Sequence, residues 1–398
     1  MFNRRSFLQK AAFLMAFAHI PLPAKAKAEK RTRPRIVRIH SAEASLPWDY
    51  QASAPWDHTV EPGNKAKVNR DQFRNDRYYN HINQKTVTTM LDQGIRHLTR
   101  TTNQRQAWLA LLQNYQKGDT VTIKINLNNA SYKEDVTTNR LDQSVQMVNA
   151  LLDSLTSSLK ISQGNITVAD PSRWIHPRIF KDRCSFPDIH WVDSRSDNLW
   201  DPGEIIRFSE HQPIRPANKP QFPQEAAFHV ARVYTETDHI INLCLLKNHG
   251  CGITGAMKNH FGAFPPPFAK YLHDGLGSKS YIADVCNTPS IKNKVRLNIC
   301  EAIFGNWHNN VWCPRPWKTF AGGTPNSLFL GTDPVAFDSV LLQHIIDEVA
   351  FRGESVEQWV RDAVQDHGFL DIAMTSLHLG VHEHAPFNRI DYRQIEAV

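Results

Sequence analysis

Residues 240–262 read Ile240-Ile-Asn-Leu-Cys-Leu-Leu-Lys-Asn-His-Gly-Cys-Gly-Ile-Thr-Gly-Ala-Met-Lys-Asn-His-Phe-Gly262. The apolar run from Ile240 to Leu246 predicts a strand, because a short apolar run bounded by turn signals is typical of a strand buried on both faces. The glycines and lysines that follow predict a loop at the end of that strand. Ligands of open parallel sheets bind beyond the carboxyl ends of the strands, so this loop is the first candidate for a binding site.

Strand and helix patterns alternate on both sides of this stretch. Further strands are predicted at Ile36 to His40, Val121 to Asn128, Asn165 to Ala169, Val295 to Cys300 and Ser327 to Leu330. Apolar residues at helical spacing predict helices at Gln84 to Leu98, Ala107 to Tyr115, Asp142 to Leu159, Val335 to Val349 and Ser355 to Val364. This alternation favours an α/β fold, with a mainly parallel or mixed sheet covered by helices on both faces. We expect one elaborated α/β domain over residues 84–398, after an irregular segment with one strand at residues 27–83.

The first 26 residues resemble a twin-arginine signal peptide. Arg4-Arg5-Ser6-Phe7-Leu8 precedes the apolar stretch from Ala11 to Ala24. Either Ala24-Lys25-Ala26 or Ala26-Lys27-Ala28 then supplies the small-x-small pattern of a cleavage site. Pro21 and Pro23 interrupt the stretch before it reaches the roughly 20 apolar residues that a membrane span needs. We therefore expect a periplasmic protein that the twin-arginine translocase exports folded, without a stable membrane span.

Composition and charge narrow the class of protein further. The chain has 398 residues, of which 41% are hydrophobic and 21% charged, so it is neither disordered, collagen-like nor a polytopic membrane protein. Cleavage after Ala26 removes four basic residues and no acidic one, and the formal charge falls from +7 to +3. A mature charge this small, without a basic patch interleaved with aromatic residues, gives no reason to expect nucleic-acid binding.

The glycine-rich loop contains a literal G-x-G-x-x-G pattern but does not predict a dinucleotide fold. Pro265-Pro266-Pro267 would stop the required helix after about two turns, and Asp274, the acid at the right distance, lies in a turn-like His-Asp-Gly. Free backbone N–H groups, lysines and a helix start instead suit a small anion such as phosphate or carboxylate. The predicted ligand contacts of this segment are Lys247, Gly250, Gly252, Thr254, Gly255 and Asn259.

Polar residues also lie at the ends of other predicted strands. Lys124 and Asn126 share one face of their strand, since side chains alternate between faces, and a buried lysine needs a partner. Asp170 and Glu301 directly follow the strands that end at Ala169 and Cys300. These four residues are predicted to bind the ligand, although in a sheet with one wet face the same pattern would be ordinary.

Three residues are candidates for catalysis: Lys258, His249 and Asp333. A lysine neutralises the charge of an anionic ligand, and a histidine or carboxylate moves a proton. For Asp333, which precedes Pro334 and an apolar-periodic segment, the alternative is a helix N-cap.

The sequence does not identify a cofactor, but it offers ligands for a divalent metal. His249, His273 and Asp274 supply two imidazoles and a carboxylate, without the short spacing that marks a zinc-binding helix. The alternative is that these histidines are hydrogen-bonded structural residues. None of the six cysteines forms a C-x-x-C pair, so no iron–sulfur cluster is expected.

Several of these segments resemble the successive motifs of domain-of-unknown-function family 362. They are Lys124-Ile-Asn126, Asp170, Leu246-Lys-Asn-His249, Thr254-Gly-Ala-Met-Lys-Asn-His-Phe-Gly262 and Gly331-Thr-Asp-Pro-Val-Ala-Phe-Asp338. The resemblance runs from about Arg35 to the C-terminus and implies an α/β domain of no agreed activity, found alone or beside a ferredoxin-like cluster domain. This sequence lacks the cluster domain and has Glu301 where the family usually has aspartate.

Two functions of different classes fit these observations. In the first, the chain is an exported enzyme that uses a metal or a phosphate-bearing cofactor on a small anionic ligand at the lysine, histidine and aspartate strand ends. In the second, it is a non-catalytic periplasmic protein that binds or delivers the same cofactor or ligand. A base held close to an electrophilic centre favours the enzyme, whereas a closed ligand shell favours the carrier.

Overall fold

A single large sheet organises the chain. The computed structural model describes residues 33–48, 50, 78–127, 141–205, 229–264, 280–308, 314–320 and 323–398, and from Pro34 onward the chain forms one compact unit. The strands are β1 (Arg35–His40), β2 (Val121–Lys124), β3 (Ile166–Asp170), β4 (His190–Asp193), β5 (Trp200–Ile205), β6 (His229–Ala231), β7 (His239–Lys247), β8 (Val295–Asn306), β9 (Ser327–Gly331) and β10 (Asp391–Glu396).

Eight of these strands form the main sheet, in the order β10-β1-β9-β8-β7-β2-β3-β4, while β5 and β6 pair separately. All neighbouring pairs in the main sheet are parallel except the two that involve β9. The ends of β2, β3, β7 and β8 therefore meet at one edge, here named the carboxyl edge. Because β9 runs the other way, its last residue lies at the opposite edge.

Helices cover both faces of the sheet. They are α1 (Gln84–Thr99), α2 (Gln104–Leu111), α3 (Val145–Leu159), α4 (Arg232–Thr235), α5 (Gly255–Asn259), α6 (Ile282–Cys286), α7 (Pro289–Lys292), α8 (Pro334–Arg352), α9 (Gln358–Ala363) and α10 (Gly368–Thr375). One core packs α1, α2 and α3 on one face, and the other packs α5, α6, α8, α9 and α10 on the opposite face. Within the described ranges, every helix is too short or too polar to cross a lipid bilayer.

Local sequence explains where the longer helices begin and end. Asn83 and Ser144 cap α1 and α3, because their side chains accept hydrogen bonds from the backbone N–H of Thr86 and Met147. Both helices end at a residue in the left-handed conformation, Arg100 and Lys160 respectively.

The structure confirms the α/β class and the mainly parallel sheet with helices on both faces, and it shifts several element boundaries. The predicted strand from Val121 to Asn128 already ends at Lys124. Beyond it, the carbonyl of Asn126 accepts from Gln143 N at 2.9 Å and Leu127 N donates to the Asp170 carboxylate at 2.9 Å, so this backbone leaves the ladder.

Candidate functional site

Three of the predicted residues, Lys124, Asp170 and Lys247, lie at the carboxyl edge. In the sheet register Lys124 lies between Ala169 of β3 and Asn242 of β7, and Asp170 and Lys247 are the last residues of those strands. The exposed fractions of Lys124, Asp170 and Lys247 are 1%, 2% and 0%. The charge of the Asp170 carboxylate raises the pKa of both lysines. The three strand ends therefore lie close together, as the sequence predicted.

Lys124 and Asp170 form a buried salt bridge with an Nζ–Oδ2 distance of 3.4 Å. Asp170 Oδ2 also accepts from Leu127 N at 2.9 Å, and its Oδ1 accepts from the Ser172 N–H and hydroxyl at 3.2 and 3.0 Å. Both oxygens of Asp170 are thus engaged within the protein. The observed contacts of Asp170 are thus structural: the carboxylate neutralises Lys124 and holds the backbone.

Asn259 ties the glycine-rich segment to the sheet. Its Nδ2 donates to Asn242 Oδ1 at 2.8 Å and to the carbonyl of Leu243 at 3.0 Å. Its Oδ1 accepts from Asn126 Nδ2 at 2.9 Å and from Lys124 Nζ at 3.4 Å. Asn126 and Asn259 therefore stabilise the loop, which corrects their assignment as ligand contacts. Lys124, Asn126, Asp170 and Asn259 are named the closed network below.

Gly262 packs directly against the closed network. A Cβ atom at this position would lie 2.7 Å from Lys124 Nζ, closer than real Cβ contacts, and 3.1 Å from Asp170 Oδ1, which is tighter than most of them. The segment Lys258-Asn-His-Phe-Gly262 thus combines an amide that clamps the loop with a glycine that lets it approach the salt bridge.

The backbone N–H groups of the glycine-rich loop are largely used within the loop itself. Gly250 N donates to His249 Nδ1, Gly252 N to His249 O and Thr254 N to Lys247 O, each at 2.8 Å. The prediction that Gly250, Gly252 and Thr254 offer these N–H groups to an anion is therefore wrong. The glycine at position 252 instead allows a positive φ of 84°.

Asp338 occupies the start of α5. Its carboxylate accepts from Ala256 N at 2.6 Å and from Met257 N at 3.0 Å, and burial raises its pKa to about 7. Gly255, with a φ of 51°, is required here because a Cβ atom would clash with the Asp338 carboxylate. The helix start that was expected to bind an anion is thus already capped by a carboxylate, and Gly255 is structural.

Lys247 differs from Lys124 in the surroundings of its amine. Its Nζ is buried and lacks a hydrogen-bond partner among the residues that the structure describes. The β7–β8 register shifts between Leu245 and Lys247, and bulges of this kind re-aim side chains next to functional sites. The hydroxyl of Thr254, whose N–H bonds Lys247 O, is also buried without a partner in the described part of the chain. Burial lowers the pKa of Lys247 to about 8, although the negative charge of Asp142 raises it.

Lys258 is a second buried cation of this site. Its exposed fraction is 4%, and its Nζ lies 5.3 Å from the centre of the Phe261 ring. Burial lowers its pKa to about 7, and the charges of Lys247 and Arg173 act in the same direction. Arg173 also lowers the pKa of Lys247, so the three cations act on one another electrostatically. Lys247, Lys258 and Arg173 are named the cation group below.

Glu301, on β8, lies beside the start of α3. Its Oε2 accepts from Ser144 N at 3.0 Å and from the Gln143 side chain. Burial raises the pKa of Glu301 to about 7, although the hydrogen bonds from Ser144 and Gln143 oppose this shift. The contacts of Oε2 are structural, and the observed geometry gives Glu301 no direct contact with the cation group.

His249 and Asp333 have local roles that differ from the predicted catalytic ones. His249 Nδ1 accepts from Gly250 N, which puts the proton of the neutral ring on Nε2 and makes that atom a donor instead of a metal ligand. Asp333 caps α8: its Oδ1 accepts from Val335 N and Ala336 N, and its Oδ2 from Val381 N.

Strand direction also removes Asp333 from the site. Gly331 of the reversed strand β9 pairs with Asn298, which pairs with Asn242 of β7. Lys247 lies five residues further along β7 in the opposite direction, so Asp333 is on the order of 20 Å away along the sheet. Asp333 therefore lies apart from Lys247, and its contacts are those of the alternative role, a helix N-cap.

The predicted metal ligands His273 and Asp274 lie outside the described residues. Within the described ranges one group of side chains can hold a metal ion, namely His367, His382 and His384. The sequence pattern did not predict this group, nor the roles of Arg173 and Asp338. The H-x-H spacing of His382 and His384 could have indicated a metal site. The roles of Arg173 and Asp338 depend on long-range packing, which the sequence does not show.

Fold and geometry define an α/β protein with an open, mainly parallel sheet and buried cations at its carboxyl edge. Residues 121–343, more than half of the chain, match the model of the family described as Domain of unknown function (DUF362), and the chain belongs to that family. No curated protein and no solved structure matches the chain.

Proposed function

We propose that the chain is an exported protein whose cation group binds a small anion, a phosphate- or carboxylate-bearing ligand or cofactor, and that Lys258 moves a proton there as part of an enzymatic reaction. The observation that carries the proposal is the Lys247 amine, which is fully buried at the carboxyl edge without a hydrogen-bond partner in the described residues. A buried polar group of this kind costs free energy unless something pairs with it.

The surrounding charges favour an anion over a cation as the ligand. Asp170 already forms a salt bridge with Lys124. The charges of Asp142 and Asp170 raise the pKa of Lys247, but burial outweighs them and lowers it to about 8. A bound phosphate or carboxylate would accept hydrogen bonds from these amines, and the hydroxyl of Thr254 is a further donor beside Lys247.

A titration with inorganic phosphate, and separately with malonate, tests anion binding. We expect the Lys247→Met variant to bind about 1.5–3 kcal/mol more weakly than wild type, the value of a hydrogen bond to a charged group. Without ligand, the variant should unfold at the same temperature or higher, because an unpaired buried charge has been removed. Lys292→Met, which removes an exposed lysine of α7, is the matched control. Unchanged affinity together with lower stability would show that Lys247 is structural.

Lys258 is the residue proposed to transfer a proton. An anion should raise the pKa of Lys258 from about 7, so binding near pH 8 should take up protons from the buffer. Calorimetry in buffers of different ionisation enthalpy measures this uptake, and Lys258→Arg should abolish it while retaining affinity, because arginine stays charged. The same variant separates an enzyme from a binding or delivery protein, since only the enzyme needs a group that releases its proton.

Export by the twin-arginine route is the other part of the proposal. Its support is the sequence of residues 1–26, which lie outside the described ranges. Replacing Arg4 and Arg5 together with lysine should retain the precursor in the cytoplasm, as cell fractionation would show. An unchanged amount of mature periplasmic protein would contradict this route.

A further inference from the structure

Three histidines from two separate segments meet between α8 and α10. Their candidate ligand nitrogens all lie within 4.8 Å of one another, and the ring centres of His367 and His384, and of His382 and His384, are 4.9 Å apart. We propose that His367, His382 and His384 form a binding site for one divalent transition-metal ion of the zinc class. This site is separate from the cation group and lies beyond the family-matched residues.

The hydrogen bonds of His382 leave one nitrogen ready to bind a metal. Ser339 Oγ donates its single proton to the carbonyl of Val335 at 2.7 Å, so it must accept from His382 Nδ1, which lies 2.8 Å away. The proton of the neutral His382 ring is therefore on Nδ1, and Nε2 keeps its lone pair. Metal-binding histidines are usually oriented by such a bond from their other nitrogen.

The other two histidines complete the set without needing a change of fold. His367 Nδ1 is buried and lacks a hydrogen-bond partner in the described part of the chain, as expected of a nitrogen that awaits a ligand. His384 is exposed, so its ring can move to bring the three nitrogens to the roughly 3.3 Å separations of a tetrahedral site with Zn–N bonds of about 2.0–2.1 Å. Asp371 Oδ1, 4.0 Å from His382 Nε2, can supply the fourth ligand.

The backbone around His384 is held on both sides. The Glu383 side chain accepts from Arg389 N at 2.7 Å and from Ile390 N at 3.2 Å, closing the turn that follows. Ala385 N donates to Gln343 Oε1 of α8 at 3.2 Å. A site whose backbone is fixed before the metal arrives loses less entropy on binding.

Three imidazoles and an open or carboxylate-filled fourth position suit Zn²⁺, and also Co²⁺, which reports its coordination by visible absorption. The experiment uses the full mature chain, freed of metal with a chelator, and titrates it with Zn²⁺ by calorimetry. We expect wild type to bind one equivalent, and His384→Ala to bind at least about tenfold more weakly, because it loses a direct ligand. Because His384 is exposed, this variant should fold normally.

Two further variants make the result specific. His97→Ala removes an exposed histidine of α1 and should bind Zn²⁺ like wild type. Ser339→Ala removes the group that orients His382 and should weaken Zn²⁺ binding about 10–100-fold while retaining the four-coordinate Co²⁺ spectrum at saturation. The proposal is overturned if wild type binds no stoichiometric Zn²⁺, or if His384→Ala and His367→Ala both bind it as tightly as wild type.

Discussion

Lys124 and Lys247 are both fully buried lysines at the carboxyl edge, yet their surroundings differ. Lys124 has the Asp170 carboxylate at 3.4 Å and the Asn259 amide oxygen at 3.4 Å. Lys247 has neither kind of partner within the described ranges, and the charge of Arg173 acts on both Lys247 and Lys258. The difference indicates that the closed network stabilises the fold, whereas the unpaired Lys247 amine costs stability; under the proposed function, a bound anion would restore it.

The largest expected effect comes from breaking the closed network. Lys124→Met should lower the free energy of unfolding by about 3–5 kcal/mol, because it leaves the buried Asp170 carboxylate without its counter-charge. Urea denaturation measures the change. The corresponding Lys247→Met variant should lose nothing, and an equal loss in both variants would remove the distinction between the two regions.

A smaller effect is expected from adding a methyl group beside the salt bridge between Lys124 and Asp170. Gly262→Ala should destabilise the protein by about 1–3 kcal/mol, because its Cβ would lie 2.7 Å from Lys124 Nζ. Gly164→Ala is the control, since its Cβ would meet nothing closer than Ser162 Oγ at 4.0 Å. If both substitutions are equally well tolerated in thermal unfolding, Lys124 and Asp170 are not packed as described.

Counted per pH unit, the pH dependence of stability is the smallest of these effects. Lys258 has a pKa of about 7 in the folded state against 10.5 as a free side chain, so the unfolded chain binds more protons between these values. The free energy of unfolding should therefore rise with pH over this window, by up to about 1.4 kcal/mol per pH unit for this group. In denaturation curves of Lys258→Met this contribution to the rise should be absent. Identical pH profiles for the variant and wild type would contradict a lowered pKa of Lys258.

Local pattern predicted much of the fold. The apolar pattern predicted the helices near Gln84 and Val145 and the strands β1, β3, β7, β8 and β9. Buried apolar residues recur with the period of a helix or form the short runs of a buried strand. The placement of Lys124, Asp170 and Lys247 at one edge followed from the parallel direction of their strands.

What the sequence could not predict depends on long-range geometry. The reversed direction of β9 put Asp333 at the wrong edge, since strand direction is a property of the whole sheet. Asp338 caps a helix that starts more than 80 residues earlier in the chain, and its carboxylate takes the N–H groups that looked available for an anion. Likewise, a loop that contains three glycines does not reveal which of its N–H groups bond internally.

The charge state of Lys258 tests the central claim most directly. Nuclear magnetic resonance of the labelled lysine side chain, followed from pH 5 to pH 11 on the order of one-unit steps, gives the pKa of its amine with and without inorganic phosphate. We predict a pKa near 7 in the phosphate-free protein, moving upward when phosphate binds, because the anion stabilises the charged amine against burial and against Lys247. A pKa near 10.5 without phosphate, or one that phosphate does not move, would contradict the assignment of the cation group as an anion site.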